Sequence, residues 1–297
     1  MTTFRVLLIS SLFVTPAAYA QVKAHASIGF ATHDRVFNND AERVDAGRVD
    51  AGAGATSLTT TDVSIMLGAS YDVFKGVYVG ADVNIVHRNV TSTSGTVDTL
   101  KKRFDIRELH INAGYALDTD VFKLDLGLGF KVDLGKQEDL RATEIAVSDG
   151  HHAFKAHIRG LANLGTVSLG ARVDVVLPFS REQSQNVNGV LSSFNAERGA
   201  VVDPALIVKF GVGIVTFGLD VGVLYHAEDA RSGIAVEDSN FYVLHAIPSV
   251  GLNFEGHELT FALGFQDEDY MLGIPLTGKN HKAPEIPPMS LAWKGSF

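Results

Sequence analysis

The chain has 297 residues, 46% of them apolar, a formal net charge of -9 at pH 7 and no cysteine. The acidic balance excludes nucleic acid as a partner, because phosphate binding needs clustered excess Lys and Arg. The lack of cysteine excludes both a disulfide framework and a cysteine-borne lipid anchor.

Residues 1–20 read MTTFRVLLISSLFVTPAAYA, with Arg5, an apolar stretch from Val6 to Val14, a break at Pro16 and small residues at Ala18 and Ala20. This pattern predicts a secretory signal peptide over 1–20 and a single mature domain over 21–297. Removing Arg5 takes the formal charge from -9 to -10. No apolar run approaches the ~18 residues that a membrane-spanning helix requires. An exported, apolar-rich chain of this kind is either a soluble β-sandwich or a transmembrane β-barrel.

Period-two alternation predicts twelve strands, near 22–34, 59–71, 77–88, 103–117, 122–134, 153–164, 167–179, 201–210, 215–226, 241–254, 259–266 and 288–297. The clearest sets Phe122, Leu124, Leu126, Leu128, Phe130, Val132 and Leu134 against Lys123, Asp125, Gly127, Gly129, Lys131, Asp133 and Gly135. Long polar loops over 35–58, 89–102, 135–152, 180–200, 227–240 and 267–287 alternate with short turns. Those turns are DVFKG, DTDV, Gly165–Thr166, GVGI and Gly256–His257. Such strict alternation predicts an all-β, transmembrane, antiparallel up-and-down barrel of about twelve strands.

A fixed register must pair like faces. Around Gly165 and Thr166, Leu164 is expected opposite Val167, Ile158 opposite Val173, and Asn163 opposite Ser168. Elsewhere Phe254 is expected opposite Leu259, Tyr71 opposite Val77, Leu117 opposite Phe122, and Phe210 opposite Val215. Aromatic residues gather on the apolar face near the short turns (Tyr71, Tyr115, Phe122, Phe210, Phe217, Phe254, Phe261, Trp293, Phe297), as in an interfacial girdle. Cross-strand packing in a soluble core is the alternative.

Two loops carry candidate features. The tandem RVDAG at Arg43–Gly47 and Arg48–Gly52 reads as a flexible surface segment, and a calcium site at Asp45 and Asp50 lacks the ligand spacing. QDEDY, with Asp267, Glu268 and Asp269, reads as a solvated acidic loop, with carboxylates that hold divalent cations as the alternative.

The mature chain resembles the Gram-negative outer-membrane β-barrel class, a porin-like resemblance that names no single family. Its most specific element is SLAWKGSF: Met289, Leu291, Trp293 and Phe297 resemble the terminal strand read by the barrel-assembly machinery, although Gly295 stands where an aromatic is often found. The resemblance implies outer-membrane lipid, lipopolysaccharide and that machinery as partners. Twelve-stranded members of the class include channels, lipid-modifying enzymes and autotransporter translocators, so strand count does not assign function.

The inner face carries Lys23, Arg88, Lys123, Lys131, Lys155, Arg159, Arg172, Lys209 and Lys294 against Asp62, Asp82, Glu108, Asp125, Asp133, Asp174, Asp203 and Asp220. Near-cancellation fits a barrel plugged by salt bridges and equally a narrow polar channel. The Gly165–Thr166 turn sets Arg159 opposite Arg172, an unfavourable pair unless an anion lies between them. Either Asp125 or Asp174 supplies it, or a solute does. His157 falls opposite Asp174, in a structural network or a proton relay. Inner glycines either leave room for solute or admit large neighbours.

His25 and Ser27 share a face and resemble the phospholipase barrel's pair, but they face the lumen and no orienting carboxylate is identifiable. Adjacent His151 and His152 point apart, so no chelate is expected. Arg103, Asp105 and Arg107 fall on the lipid side under strict register, unless they lie above the hydrocarbon or a bulge turns them inward. The expectation is a monomeric, narrow passive channel for small polar and anionic solutes, without catalytic residues, metal or cofactor. Its lumen candidates are Arg159, Arg172, Lys123, Lys131, Lys155, Asp125, Asp133, Asp174 and His157. A closed barrel with functional loops is the alternative, and a lipid hydrolase at Ser27 the third.

Overall fold

A strand with one apolar and one polar face can stand in lipid only if its backbone groups are all paired, which requires a sheet without edges. The computed structural model has this form; it describes residues 21–37, 43–45, 57–94, 97–135, 150–187, 190–236, 239–264, 273–277 and 281–296. Its wall strands are β1 (Val22–Phe37), β2 (Ser57–Phe74), β3 (Val77–Ser94), β4 (Val97–Asp118), β5 (Phe122–Asp133) and β6 (Ala153–Leu164). They continue as β7 (Val167–Pro178), β8 (Val201–Val212), β9 (Val215–His226), β10 (Phe241–Phe254), β11 (His257–Leu263) and β12 (His281–Ser296). Every strand pairs antiparallel with its sequence neighbours. The ring closes where β1 meets β12, at Ala26–Trp293, Ile28–Leu291 and Phe30–Met289.

Side-chain facing follows the alternation. Outward residues such as Ile28, Leu128, Ile158 and Leu206 are 47–66% exposed, an apolar surface suited to lipid. The expected girdle lies outward at the end of the short turns, with Phe122, Phe210, Phe217, Phe254 and Phe261 all exposed. A second aromatic belt stands at the opposite end, formed by Phe104, Phe130, Phe154, Phe179 and Tyr242. Phe122 and Phe130 are eight residues apart on β5, about 26 Å along the strand. Tilted about 40°, that run spans roughly 20 Å, close to the ~25 Å apolar band of such barrels.

The registers correct several expectations. Only Gly165–Thr166 closes as predicted, with Leu164 opposite Val167 and Arg159 opposite Arg172. The other four hairpins close two residues away: Tyr71 meets Val79, Leu117 meets Leu124, Phe210 meets Phe217 and Leu252 meets Leu259. An even shift keeps every facing, which is why alternation alone could not detect it. At β10–β11 the turn is Glu255–Gly256, where φ is 45° and 82°, so both central residues adopt the left-handed form that matches strand twist.

Residues 89–94 and 97–102 are strand rather than loop: β3 and β4 run on until Ser94 meets Val97. The expected loop over 180–200 contains a hairpin, Arg181–Val187 with Val190–Glu197, joined by Ala230–Arg231 and Ile234–Ala235 into a small separate sheet. Within the expected loop over 267–287, Gly273–Thr277 pairs with the upper part of β10 and β12 already begins at His281. The signal segment, the RVDAG tandem beyond Arg43–Asp45, the whole of QDEDY and Phe297 lie outside the described residues.

β4 resolves the placement of its basic residues. Asn84 pairs with Glu108 but Ile85 pairs with Ile106, so Arg107 is an extra residue in a β-bulge. Beyond it the facing switches. Ile106 and Phe104 are exposed on the outer side, while Arg103 and Asp105 turn inward opposite Arg88 and Val86.

Candidate functional site

The lumen divides along its axis. Toward the loop end the inward side chains are buried against one another: Ala31, Asp62, Val86, Val90, Leu224 and Val243 are each less than 8% exposed. Val201, Leu224 and Val243 form an apolar cluster there with Val176 and Phe241. Toward the turn end lies a polar vestibule of about 1080 Å³, lined by Lys23, His25, Tyr78, Asp82, Asp125, Lys155, His157, Arg159, Asp174, Glu258 and Lys294 among others.

Small residues on the inner face make this arrangement possible. His25 on β1 lies across Gly68 on β2 and reaches Asp82 on β3 at 2.7 Å. Tyr78 on β3 crosses Gly114 on β4 and donates to Asp125 on β5 at 3.0 Å. His245 on β10 crosses Gly222 on β9 and meets Asp203 on β8 at 2.7 Å. A Cβ on Gly68, Gly114 or Gly222 would stand 1.9–2.7 Å from these side chains and neighbouring backbone. The inner glycines therefore admit large polar neighbours, one of the two roles expected for them.

The densest cluster surrounds Arg172. Its guanidinium donates to Asp220 Oδ2 at 2.8 Å, to Asp203 Oδ2 at 2.6 Å and to Asp174. Arg172 and His245 approach from opposite sides over the small pair Ala205 and Gly222, and each is 1% exposed. A second cluster places Arg88 on Asp62 in a bidentate pair at 2.8 and 2.7 Å, with Arg103 opposite it held by Asp105 at 2.9 Å. Thus the lumen contains two arginine–arginine ladder pairs, Arg159–Arg172 and Arg88–Arg103. In the second, each member has its own carboxylate.

The sequence-derived candidates separate accordingly. Asp125, Lys155, His157, Arg159, Asp174 and Lys123 line the vestibule, whereas Arg172 does not. His157 Nε2 lies 3.3 Å from Asp125 Oδ2, and Lys123 pairs with Asp118 at 2.9 Å beside the turn. Lys131 is 9% exposed, 3.7 Å from Glu108, in the packed half. Asp133 accepts backbone amides of Gly135 and Gly150 at 3.0 Å and anchors the loop end of β5. Asp203 and Asp220, placed on the inner face by the sequence but given no role, gain weight, as does His245, which the sequence pattern did not name. Their signal was a run of inward small residues, Ala205, Gly218 and Gly222, beside inward charge. His25 Nε2 lies 2.7 Å from Asp82 Oδ1, so a carboxylate does orient this ring, which corrects the expectation that none is identifiable.

No protein-family model matches the chain, and no curated protein matches it by sequence. Among solved structures it is similar in fold to an outer-membrane channel from Pseudomonas putida F1, with 15% identity over 96% of this chain and 100% of that one and a TM-score of 0.65. Weaker likenesses are to the NanC porin (10% identity, 92% and 99% coverage, TM-score 0.45) and to the β domain of the Bordetella autotransporter BrkA (12%, 93% and 100%, 0.48). At 15% identity the first of these likenesses establishes the fold alone. The fold is that of the outer-membrane β-barrel class, a closed twelve-stranded antiparallel wall.

Proposed function

We propose that the protein is an outer-membrane channel for small polar solutes, with a preference for anions. The carrying observation is the polar vestibule of about 1080 Å³ inside a closed apolar wall, a volume suited to a small solute. Arg159 lines it, whereas Arg172, surrounded by three carboxylates, contributes little positive field to the lumen. Residues 1–20 serve as the export signal in this reading, and the terminal strand from Met289 through Phe297 as the assembly address. The test is single-channel conductance in planar bilayers with folded protein. The expected result is discrete conductance with an anion preference that Arg159→Ala reduces; absence of conductance overturns the reading.

The packed loop-end half favours a second reading, a closed barrel whose loop-end sheet does the work. Deleting the hairpin over 181–197 would then abolish function while permeability stays unchanged.

A further inference from the structure

Inward cations in this barrel generally carry a carboxylate. Lys23 holds Asp72 at 3.1 Å, Arg88 holds Asp62, Arg103 holds Asp105, Lys123 holds Asp118 and Arg172 holds three. Among the described residues Arg159, Lys209 and Lys294 depart from the pattern, with no ion pair within 4.0 Å. They stand on β6, β8 and β12, so Arg159 and Lys294 face each other across the ring. Arg159 and Lys294 line the vestibule, whereas Lys209 does not, and the charges felt by Lys294 are first that of Glu258, opposite it in the ladder, and then that of Arg159.

The carboxylates opposite them in the ladder, Asp125 across from Arg159 and Glu258 across from Lys294, have further partners of their own. Asp125 accepts from Tyr78 at 3.0 Å and lies 3.3 Å from His157, and Glu258 accepts from Thr260 at 3.1 Å. Nε of Arg159 is buried without a hydrogen-bond partner, which costs desolvation that only an acceptor can offset. Two cations without an ion pair and an orphaned guanidinium donor, all at one cavity, describe a site that can take negative charge. Because the cations occupy facing walls, a solute with anionic groups at both ends satisfies them better than one with a single charge.

We propose that the vestibule binds a small organic dianion, with one carboxylate on Arg159 and the other on Lys294. This rests on the channel reading for how solute reaches the site, but not for the binding itself. Equilibrium binding to the folded, full-length protein in detergent is therefore the test, measured by titration calorimetry with succinate, butyrate, succinamide and inorganic phosphate. Succinate is expected to bind at least tenfold tighter than butyrate, with succinamide silent and added salt weakening the interaction.

Arg159→Gln and Lys294→Gln should each weaken succinate binding about tenfold. Lys23→Gln, which removes a paired cation lining the same cavity, should leave it within twofold. Should Arg159→Gln fail to assemble, Lys294→Gln, at an exposed side chain, still decides the matter. Equal affinity for butyrate and succinate, tighter binding of phosphate than of succinate, or an equal loss in Lys23→Gln overturns the proposal. Dianion binding without conductance would sink the channel reading and leave the site standing.

Discussion

Asp203 shows how much can depend on one inward carboxylate. One oxygen takes Arg172 and the other His245, and all three side chains are almost fully buried. Breaking a buried pair by removing one member is costly because the survivor keeps its charge without its partner. Asp203→Ala should therefore lower the unfolding free energy in detergent by about 3–5 kcal/mol, on the scale of such losses. Gly222→Leu attacks the same cluster without touching a charge, since even its Cβ would lie 2.6 Å from Ala205 Cβ and 2.7 Å from His245 Nε2. Both variants should lose the heat-resistant migration typical of a folded barrel at lower temperature than the parent, whereas Asp118→Ala, at the exposed Lys123 pair, should not. A Gly222→Leu barrel as stable as the parent would mean that His245 is not held in place by that contact.

At the scale of the element, the bulge at Arg107 is the feature with the sharpest consequence. Because Arg107 is the extra residue, deleting it leaves Ile106 and Phe104 facing out and Arg103 and Asp105 facing in. Its carbonyl, however, accepts the amides of Leu134 and Gly135, so the deletion should cost about 1–3 kcal/mol for two backbone bonds. Deleting Ile111, which sits in regular ladder opposite Ala81, exchanges faces along one side of the strand and puts charge into lipid. The first variant should assemble in liposomes and the second should not; equal assembly would show that facing in β4 is not fixed by register. The same element marks the limit of legibility. Alternation gave facing for most strands, but a one-residue bulge leaves no compositional trace, and a two-residue slip at a turn changes no facing. The positive φ at Glu255 is likewise invisible, because glutamate does not advertise a left-handed turn.

For the whole molecule, closure was legible because each wall strand carries an apolar face and lipid tolerates no open sheet edge. The axial division of the lumen was not, since it depends on which inward side chains meet across the ring. A tally of nine inward basic against eight inward acidic residues hides the fact that the packed half also holds inward Val86, Val201, Leu224 and Val243. If that apolar layer is the barrier to flow, thinning it must widen the path while the cations of the vestibule remain. Leu224→Ala combined with Val243→Ala removes buried methyl groups at 2% and 0% exposure, and cores refill such space only partly. The double variant should raise single-channel conductance severalfold with ion preference unchanged, at a stability loss that heat-dependent migration will register. Conductance equal to that of the parent, in protein shown to be folded, would exclude the Val201–Leu224–Val243 layer as the gate.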